Sequence, residues 1–441
     1  MNKKFYENKL KWIENKALKM GADAIRSSLI VSSGFSISQR DEEIENMSES
    51  VESSLQVEIF SENRYSYHTT NDLKEDRLEG FLEKALSMTA YLEKDEYRKL
   101  PDKKWYATET DDTKLNLADP RIENMSYEDK VTLLNRLVKS AYDINSSLIS
   151  VTADFWNNRS LTVRRASNGF AGSLEKTSVG MGTSVSMEEP DGRRPEDSKY
   201  ISALHMNELW EPEKVSAEAV RRVEAKLGAK KIASGKMIMI VDKQVAGRCL
   251  YPIFRALSGR ALSQKNSFLE GKLNEEVGSK LFTIIDDPLI PKGRGSRIFD
   301  SEGLKAVKRP LFQDGVLKTY LIDSYYGNKL NMDPTSGGIS NIILPPGNKS
   351  LNELINAVNK GIYVTGFIGG NSNATTGDFS YGIMGHEIKN GTLIRPVTEM
   401  NISGNYLDLM KSLISVGNDP NEFSSLYLPT LVFKDVDFAG L

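Results

Sequence analysis

His386 and Glu387 stand side by side in the segment SYGIMGHEIKNG, residues 380–391, and the chemistry open to them depends on a second histidine. In a helix of the His-Glu-x-x-His type, two imidazoles one turn apart bind one zinc ion while the glutamate acts on the bound water. Asn390 takes the place of the second histidine here, and Gly391 follows it. An Asn-Gly pair between apolar, alternating segments is typical of a type I′ hairpin turn. The segment therefore predicts two strands joined by a turn, and no zinc-binding helix.

Three other places carry side chains that could react, and each also has a purely structural interpretation. Cys249, the sole cysteine, lies on the apolar stripe of a predicted helix, which favours a buried thiol over a nucleophile. Asp286 and Asp287 could act as an acid–base pair or bind a hard cation, but a strand that ends in Asp-Asp-Pro usually leads into a turn. The segment FDSEG, residues 299–303, offers two acids around a serine without a nearby histidine, so it also predicts a turn.

The composition is that of an ordinary globular protein with two or three domains. Of its 441 residues, 39% are hydrophobic and 27% are charged. The formal net charge of -3 argues against direct nucleic-acid binding, which normally shows as a basic excess. A single cysteine excludes an internal disulfide framework. Because no apolar run approaches the ~20 residues of a membrane span, and residues 1–20 show an amphipathic helical pattern, we expect no membrane association and a cytoplasmic location.

The first half of the chain alternates helical and strand patterns. Leu10 and Ile13 recur at helical spacing near the start, and Ser126 is placed to cap a later helix, with Glu128 close behind it. Predicted helices cover 1–20, 78–86 and 126–144; predicted strands lie within 21–41, 53–72 and 147–187; an exposed excursion is expected at 91–119 and a mobile loop at 188–200.

The second half begins with an apolar strand at 236–242, followed by a helix from about 244 to 262 in which Pro252 predicts a kink. Asp-Gly at 314–315 and Asn-Gly at 390–391 each predict a hairpin. Further strand patterns occupy 281–288, 293–303, 307–323, 361–370 and 386–397.

These patterns predict an α+β fold with a domain boundary near residue 230. Residues 1–230 are expected to form an N-terminal α+β domain. Residues 231–441 are expected to form a C-terminal domain that is dominated by antiparallel β-sheet and contains a few helices.

A series of motifs in the second half resembles the signatures of one known family. Each motif alone is a weak signal, whereas six in the correct order are specific. The family is TldD/PmbA, whose members were historically called modulators of DNA gyrase. The motifs are NSFLEG (266–271), IFDSEG (298–303), LFQDGVLKTYLIDSYYGNKL (311–330), GFIGGNSNATTGDFSYGIMG (366–385), NGTLIRPVTEMNISGN (390–405) and SVGND (415–419).

The resemblance also bears on a metal site. In the TldD branch, a helix carries His-Glu-x-x-x-His and a cysteine near the C-terminus completes the ligand set. Counted back from NSFLEG, the three motif positions fall on Leu250, Tyr251 and Arg255, and no cysteine follows Cys249. Leucine has no donor atom, and arginine places a permanent cation where the metal would sit. The chain therefore resembles the PmbA branch, also called TldE, which lacks the metal site, and we expect no metal and no other cofactor.

The resemblance implies a subunit that is inactive alone and pairs with a TldD-like metalloprotease chain, at whose metal an unfolded peptide is cleaved. The glycine-rich segment 366–382 is expected to let an extended peptide approach its backbone, although its glycines could simply form tight turns. The candidates for lining this substrate channel are Asn373, Thr376, Gly377, Asp378, Ser380 and Tyr381.

Without its partner the chain is expected to form a two-fold homodimer through the C-terminal domain, because unpaired sheet edges must be covered. The buried area would be roughly 2,000 Å² or more. Two alternative functions stay open. One is an autonomous hydrolase of the metalloprotease family with a rearranged site built from Cys249, His386 or the Asp286/Asp287 pair. The other is a regulator that modulates DNA gyrase or binds nucleic acid.

Overall fold

The computed structural model describes residues 1–108 and 113–441 of the chain. Part of the excursion predicted at 91–119 therefore lies outside the described residues. The first half contains helices α1 (Lys3–Lys19), α2 (Glu75–Thr89), α3 (Tyr127–Ile144) and α4 (Pro212–Glu224), with strands β1 (Ala24–Arg40), β2 (Glu43–Ser61), β3 (Arg64–Thr70), β4 (Ser150–Ala166), β5 (Ala171–Ser186) and β6 (Glu196–Ala203).

The N-terminal sheet has the strand order β3-β2-β1-β4-β5-β6, and all its neighbours are antiparallel. Its helices cover one face. Leu29 of β1 packs with α1 and α2, whereas Ile37 further along the same strand packs with α3 and α4. Both positions are odd-numbered, and side chains two apart on a strand share a face. The opposite face is more polar and meets the second half of the chain, for example where Arg164 donates to the carbonyl of Ser301 at 2.7 Å.

Several expectations for the first half are confirmed and one boundary is wrong. The predicted helices are present, and Ser126 caps α3. Asp129 completes a capping box, because its carboxylate accepts the Ser126 N–H. The loop expected at 188–200 ends earlier, because β6 begins at Glu196 and pairs with β5 in regular register.

The second half begins with β7 (Gly235–Val241), α5 (Ala246–Ala256) and α6 (Gly259–Ser263). The remaining elements are β8 (Ile284–Asp286), β9 (Arg309–Gln313), β10 (Val316–Leu317), α7 (Ser324–Leu330), β11 (Ile342–Ile343), α8 (Leu351–Asn356), β12 (Lys360–Ser372), β13 (Asp378–Lys389), β14 (Thr392–Asn405), α9 (Tyr406–Lys411), β15 (Leu413–Val416), β16 (Leu426–Tyr427) and β17 (Leu431–Ala439).

The main C-terminal sheet has the order β14-β13-β12-β7-β17-β15. β14 also pairs with β17. The five strands β14, β13, β12, β7 and β17 therefore close into a ring around an apolar core, and β15 lies outside the ring. A smaller sheet has the order β10-β9-β8-β11-β16. Most neighbours are antiparallel, with parallel pairing of β12 to β7 and of β11 to β16. The predicted α+β class with a C-terminal half dominated by antiparallel sheet is confirmed.

Two expectations for the second half are wrong. The helix expected at 244–262 is divided into α5 and α6, and the division falls at Ser258, whose hydroxyl caps α6 by accepting the Ala261 N–H. Pro252 lies inside α5. The segment 293–303 consists mainly of turns rather than a strand, and its one ladder contact is the bridge from Phe299 to Lys305.

Both predicted hairpins are confirmed. Asn390 and Gly391 have φ of 50° and 75° and join β13 to β14, as a type I′ turn requires. Asp314 and Gly315 have φ of 50° and 80° and join β9 to β10. His386 therefore lies in strand β13, not in a helix. None of the helices within residues 1–108 and 113–441 combines the length and apolar character needed to cross a membrane.

Candidate functional site

Helix α5 carries the positions at which the TldD-type motif would fall, and they do not face one point. Leu250 is 0% exposed and belongs to the C-terminal core. Tyr251 is 53% exposed, and Arg255 is exposed as well. One position therefore points inward and two point to solvent. Because leucine offers no lone pair and arginine is permanently cationic, these residues do not fit a zinc ion.

The histidines do not supply a metal site elsewhere. The His68 Nε2 lies 2.9 Å from the Ser66 hydroxyl. His205 and His386 each bond through Nε2 to a main-chain carbonyl at 2.8 Å. Across the part of the chain that the structure describes, no group of three or more His, Cys, Asp or Glu side chains is placed to hold a metal ion.

The exposed side of α5 borders a groove of about 500 Å³, which is hereafter called the α5 groove. The glycine-rich loop before β13 forms part of its wall. The Phe268 N–H donates to the carbonyl of Ala374 at 2.9 Å, and the Thr375 hydroxyl contacts Asn266. The groove is lined by Tyr251, Phe254, Arg255, Ser258, Arg260, Ala261, Gln264, Asn266, Leu321, Gly337, Gly338, Ile339 and Ala374.

The α5 groove thus brings together two segments that the sequence singled out separately, the helix with the substituted metal positions and the glycine-rich loop. Sequence reasoning did not identify Arg260, Gln264 or Asn266 as groove residues. Their only local signal is polarity next to a helix end, which many surface positions share.

Polar side chains in the loop before β13 mostly bond to the loop itself. The Asn373 carbonyl oxygen Oδ1 accepts the N–H groups of Thr375 and Thr376, at 2.9 and 3.3 Å. The Thr376 hydroxyl donates to Asp378 at 2.6 Å, and the Asn405 amide donates to the same carboxylate at 3.0 Å. These hydrogen bonds from Thr376 and Asn405 lower the pKa of Asp378. Three of the channel candidates therefore fix the conformation of the loop that contributes Ala374 to the groove wall.

The other channel candidates differ in exposure. Gly377 has φ of 83° and is packed so closely that an added Cβ would lie 3.0 Å from the ring of Phe268. Ser380 is exposed on β13. Tyr381 is only 5% exposed, and its hydroxyl lies 2.9 Å from that of Tyr406 inside the core. Within this chain Tyr381 therefore packs in the core beneath the start of β13 and does not face the groove.

The groups proposed for the alternative hydrolase site have different surroundings and different partners, and they do not form one site. Cys249 is buried, and burial raises the pKa of its thiol to about 12, so it is protonated at neutral pH. Asp286 is buried at the end of β8 and pairs with Arg309 at 2.9 Å. Asp287 pairs instead with Lys308 at 2.9 Å. The two adjacent carboxylates thus have different cationic partners, and neither is arranged as a shared acid–base pair.

The FDSEG segment forms the predicted turn, and its acids are structural. Asp300 accepts the N–H groups of Glu302 and Leu304, each at 2.9 Å. Burial, followed by the nearby Glu302 carboxylate, raises the pKa of Asp300. Glu302 binds Arg26 of β1 and the N–H of Ser324. The turn is therefore a buried polar junction between the two halves of the chain.

His386 borders a second cavity of about 460 Å³, between the end of α4 and strands β13 and β14. Burial, with a contribution from the nearby Arg221 cation, lowers its pKa. At the same cavity the Tyr363 hydroxyl donates to Asp242. Sequence reasoning missed this cavity because its walls come from segments more than a hundred residues apart.

Comparison with known proteins gives three domain matches and close structural neighbours. Residues 28–89, 120–227 and 234–440 match domain 1, the central domain and the C-terminal domain of PmbA/TldA metallopeptidases. Metalloprotease PmbA of Escherichia coli O157:H7 is 26% identical over 422 residues, which cover 95% of this chain and 93% of that protein.

Solved structures show the same fold over the whole chain. A proposed modulator of DNA gyrase from Bacteroides thetaiotaomicron VPI-5482 is 39% identical, with a TM-score of 0.96 and 100% of both chains covered. TldE from Thermococcus kodakarensis is 19% identical, with a TM-score of 0.86 and coverage of 98% of this chain and 100% of that one.

Proposed function

This chain belongs to the PmbA/TldD family of metallopeptidases, and from that premise we propose that it is a non-catalytic subunit that binds unfolded peptides for cleavage at the metal of a TldD-like partner. The observation that carries the proposal is the pair Leu250 and Arg255 on α5. The first is fully buried and the second is a permanent cation, so the motif positions of this chain cannot supply metal ligands.

The chain's own contribution would be to hold substrate. The loop that contributes Ala374 to the α5 groove has polar side chains that are already bonded within the protein, so this part of the wall is formed before a peptide arrives. Such preorganisation reduces the entropy lost on binding. Recognition of an extended backbone, instead of particular side chains, would accept many unfolded sequences. In this proposal Asn373, Thr376, Gly377 and Asp378 shape the channel, Ser380 lies beside it, and Tyr381 supports it.

The proposed partner is a TldD-like chain. Its support is the presence of a TldD homologue among the relatives, from Buchnera aphidicola, which is 26% identical over 321 residues. The proposal places peptide binding in domain 231–441 and the assembly in the cytoplasm. When the partner is absent we expect a homodimer through that domain. Because β14 pairs with β17, that edge is covered within the chain, and the dimer would have to use the remaining edge strands, sheet faces or loops.

A gyrase-modulating role is a second candidate, and the description of the Bacteroides thetaiotaomicron neighbour is what favours it. The net charge of -3 gives no support for direct DNA contact, so such a role would act on the gyrase protein.

Binding without cleavage is the direct signature of the proposed function. A fluorescent, unfolded peptide would be titrated with the isolated chain, with binding read by anisotropy and cleavage by mass spectrometry. We expect saturable binding and an intact peptide. Cleavage that is removed by a chelator and restored by zinc would contradict the proposal, because it would require a metal site in this chain.

A further inference from the structure

The α5 groove contains two arginines that lack a counter-charge. Arg255 lies in the last turn of α5 and Arg260 lies in α6, and both line the groove. Within residues 1–108 and 113–441 neither forms an ion pair, in contrast to Arg26 and Arg309, which bind buried carboxylates. The described lining residues of the groove include no aspartate or glutamate. The groove therefore has a net positive charge and open guanidinium donors.

A helix-dipole role explains only part of this arrangement. A cation in the last turn of a helix interacts favourably with the C-terminal dipole, and Arg255 is so placed. That effect does not use the hydrogen-bonding fork of the guanidinium. It also gives no specific account of Arg260, because α6 is only five residues long and has little dipole of its own. An anionic ligand would satisfy both side chains.

The rest of the groove narrows the chemistry of that ligand. Gln264 and Asn266 add amide groups, and Gly337 and Gly338 line the groove without side chains. The ring of Tyr251 is largely exposed at the rim, while Phe254 and Leu321 provide an apolar base. Arginine binds carboxylate through two parallel hydrogen bonds. A group that combines a carboxylate, an amide and an apolar side chain matches these surroundings.

We propose that Arg255 and Arg260 form a carboxylate-binding site that anchors the C-terminal end of a bound peptide in the α5 groove. This inference rests on the proposed peptide-binding function and adds the polarity of binding. The free α-carboxylate lies between the two guanidinium groups, and the last side chain packs over Tyr251 and Leu321. An acidic side chain within a peptide carries the same chemical group, so the test must distinguish these two sources.

The test uses the full chain and three fluorescent peptides of one apolar sequence. The first has a free C-terminal carboxylate, the second ends in an amide, and the third ends in an amide but carries one internal glutamate. We expect the free carboxylate to bind at least tenfold more tightly than the amide, since hydrogen bonds to charged groups are the strong ones. The double variant Arg255→Gln/Arg260→Gln should abolish this difference.

Arg248→Gln is the matched control. Arg248 is exposed on the same helix seven residues before Arg255, about 10 Å along the axis, and does not line the groove. We expect this variant to retain the preference for the free carboxylate. Arg255→Lys/Arg260→Lys keeps both charges but loses the planar forks, and should give intermediate affinity. If the glutamine variant unfolds at a lower temperature than the wild type, the affinities for the free-carboxylate and amide peptides are compared between the wild type and the lysine variant instead.

Each outcome decides the inference. Equal affinity for all three peptides, unchanged in the double variant, would overturn the carboxylate site and leave the peptide-binding function standing. Tight binding of the internal-glutamate peptide, lost in the double variant, would support the site and assign it to acidic side chains instead of the C-terminus. Failure of every peptide to bind would overturn both the site and the proposed function.

Discussion

Arg26 of β1 donates through Nη1 to the Oε1 of Glu302 at 3.0 Å, and so ties the N-terminal sheet to a turn 276 residues later in the chain. The same guanidinium makes two bonds to Glu58, at 2.8 and 2.7 Å. Although burial acts to lower it, the pKa of Arg26 is raised because Glu58 and then Glu302 stabilise the cation. One cation of the first half is therefore shared between a carboxylate of its own half and a carboxylate of the second half.

Replacing that cation should destabilise the protein strongly. Arg26→Met removes the cation that Glu58 and the buried Glu302 share, and breaking a buried pair in this way costs about 3–5 kcal/mol. The carboxylates keep only neutral donors, from Tyr65 and Ser324, which do not balance their charge. Arg77→Met is the control, since Arg77 is 72% exposed and its pair with Asp76 is 3.9 Å long. Such a pair is worth about 0–1 kcal/mol. Urea denaturation compares the two variants, and equal midpoints would contradict the role of Arg26.

Tyr381 is expected to matter for stability. Because its ring is buried in the C-terminal core, Tyr381→Ala should cost about 3–5 kcal/mol, as large aromatic truncations do. From the sequence alone, Tyr381 is expected only to line a substrate channel. Tyr381→Phe removes only the hydroxyl that meets Tyr406, at a cost of about 1 kcal/mol. A thermal scan in which both variants melt like the wild type would place Tyr381 outside the core.

Asp378→Ala should lower the cleavage of peptides by the partner without lowering the stability of this chain. Asp378 is exposed, and its carboxylate accepts hydrogen bonds from Thr376 and Asn405, which fix the loop that contributes Ala374 to the α5 groove. Removing it should loosen the loop and lower the partner's cleavage of unfolded peptides, with little change in melting temperature. Asp314→Ala, in an exposed hairpin turn away from the groove lining, is the control for general effects of charge removal. Unchanged cleavage by Asp378→Ala would remove the loop from the substrate channel.

His386 should make stability depend on pH. Its pKa is lowered in the folded protein because it is buried, so the folded state favours the neutral ring. The stabilisation that the neutral ring gives to the folded state is complete above the ordinary histidine pKa of 6.5. It is lost as the pH falls through the lower pKa of the folded state. His386→Gln cannot titrate and should show a shallower loss of stability on acidification. His68 also has a lowered pKa but is present in both proteins, so the difference isolates His386. Parallel pH profiles would contradict this assignment.

Rebuilding the motif should not create a metal site. The triple variant Leu250→His/Tyr251→Glu/Arg255→His restores the TldD-type pattern, yet it lacks the cysteine ligand and the groups that orient the imidazoles. Because Leu250 is fully buried, its replacement alone should cost about 2 kcal/mol or more. Tyr251→Glu/Arg255→His, confined to exposed positions, should melt near the wild type. Stoichiometric zinc in the triple variant, measured by elemental analysis, would show that the supporting groups are intact.

The assembly state is also testable. In the absence of a partner we expect a dimer of the 49.2 kDa chain, and light scattering at tens of micromolar should report twice that mass. A particle of the single-chain mass would remove the dimer. Hydrogen exchange with and without dilution would locate the interface, and protection confined to residues before 231 would contradict a C-terminal interface.

Local chemistry explains which features could be predicted from the sequence. The turn at Asn390 and Gly391 needs two residues that tolerate positive φ, and that requirement is visible in the two letters themselves. The division between α5 and α6 could not be predicted because apolar residues continue at helical spacing past Ser258. The helix is interrupted there because the Ser258 hydroxyl caps α6. Residues 293–303 pair with other main chain only at the bridge from Phe299 to Lys305, and local sequence does not reveal whether a segment has a partner strand.

The site required knowledge of contacts between distant segments. The sequence indicated that Arg255 replaces a ligand, but not that Leu250 is buried while Arg255 faces a groove. The groove itself depends on the hydrogen bond between Phe268 and Ala374, which are 106 residues apart and share no pattern that would predict their contact. Tyr381 shows a related difficulty within a single strand. Burial alternates along β13, so a shift of one residue moves a side chain from the core to the solvent-facing side.

Reconstitution with a TldD-like chain from the same organism tests the central claim most directly. Cleavage of one unfolded peptide would be measured with this chain alone, with the TldD-like chain alone, and with both. The account predicts no cleavage by this chain, cleavage by the mixture that exceeds that of the TldD-like chain alone, and complete loss when the metal-motif histidines of the TldD-like chain are replaced by alanine. Chelator-sensitive cleavage by this chain alone, or by the mixture with those histidines replaced, would contradict it.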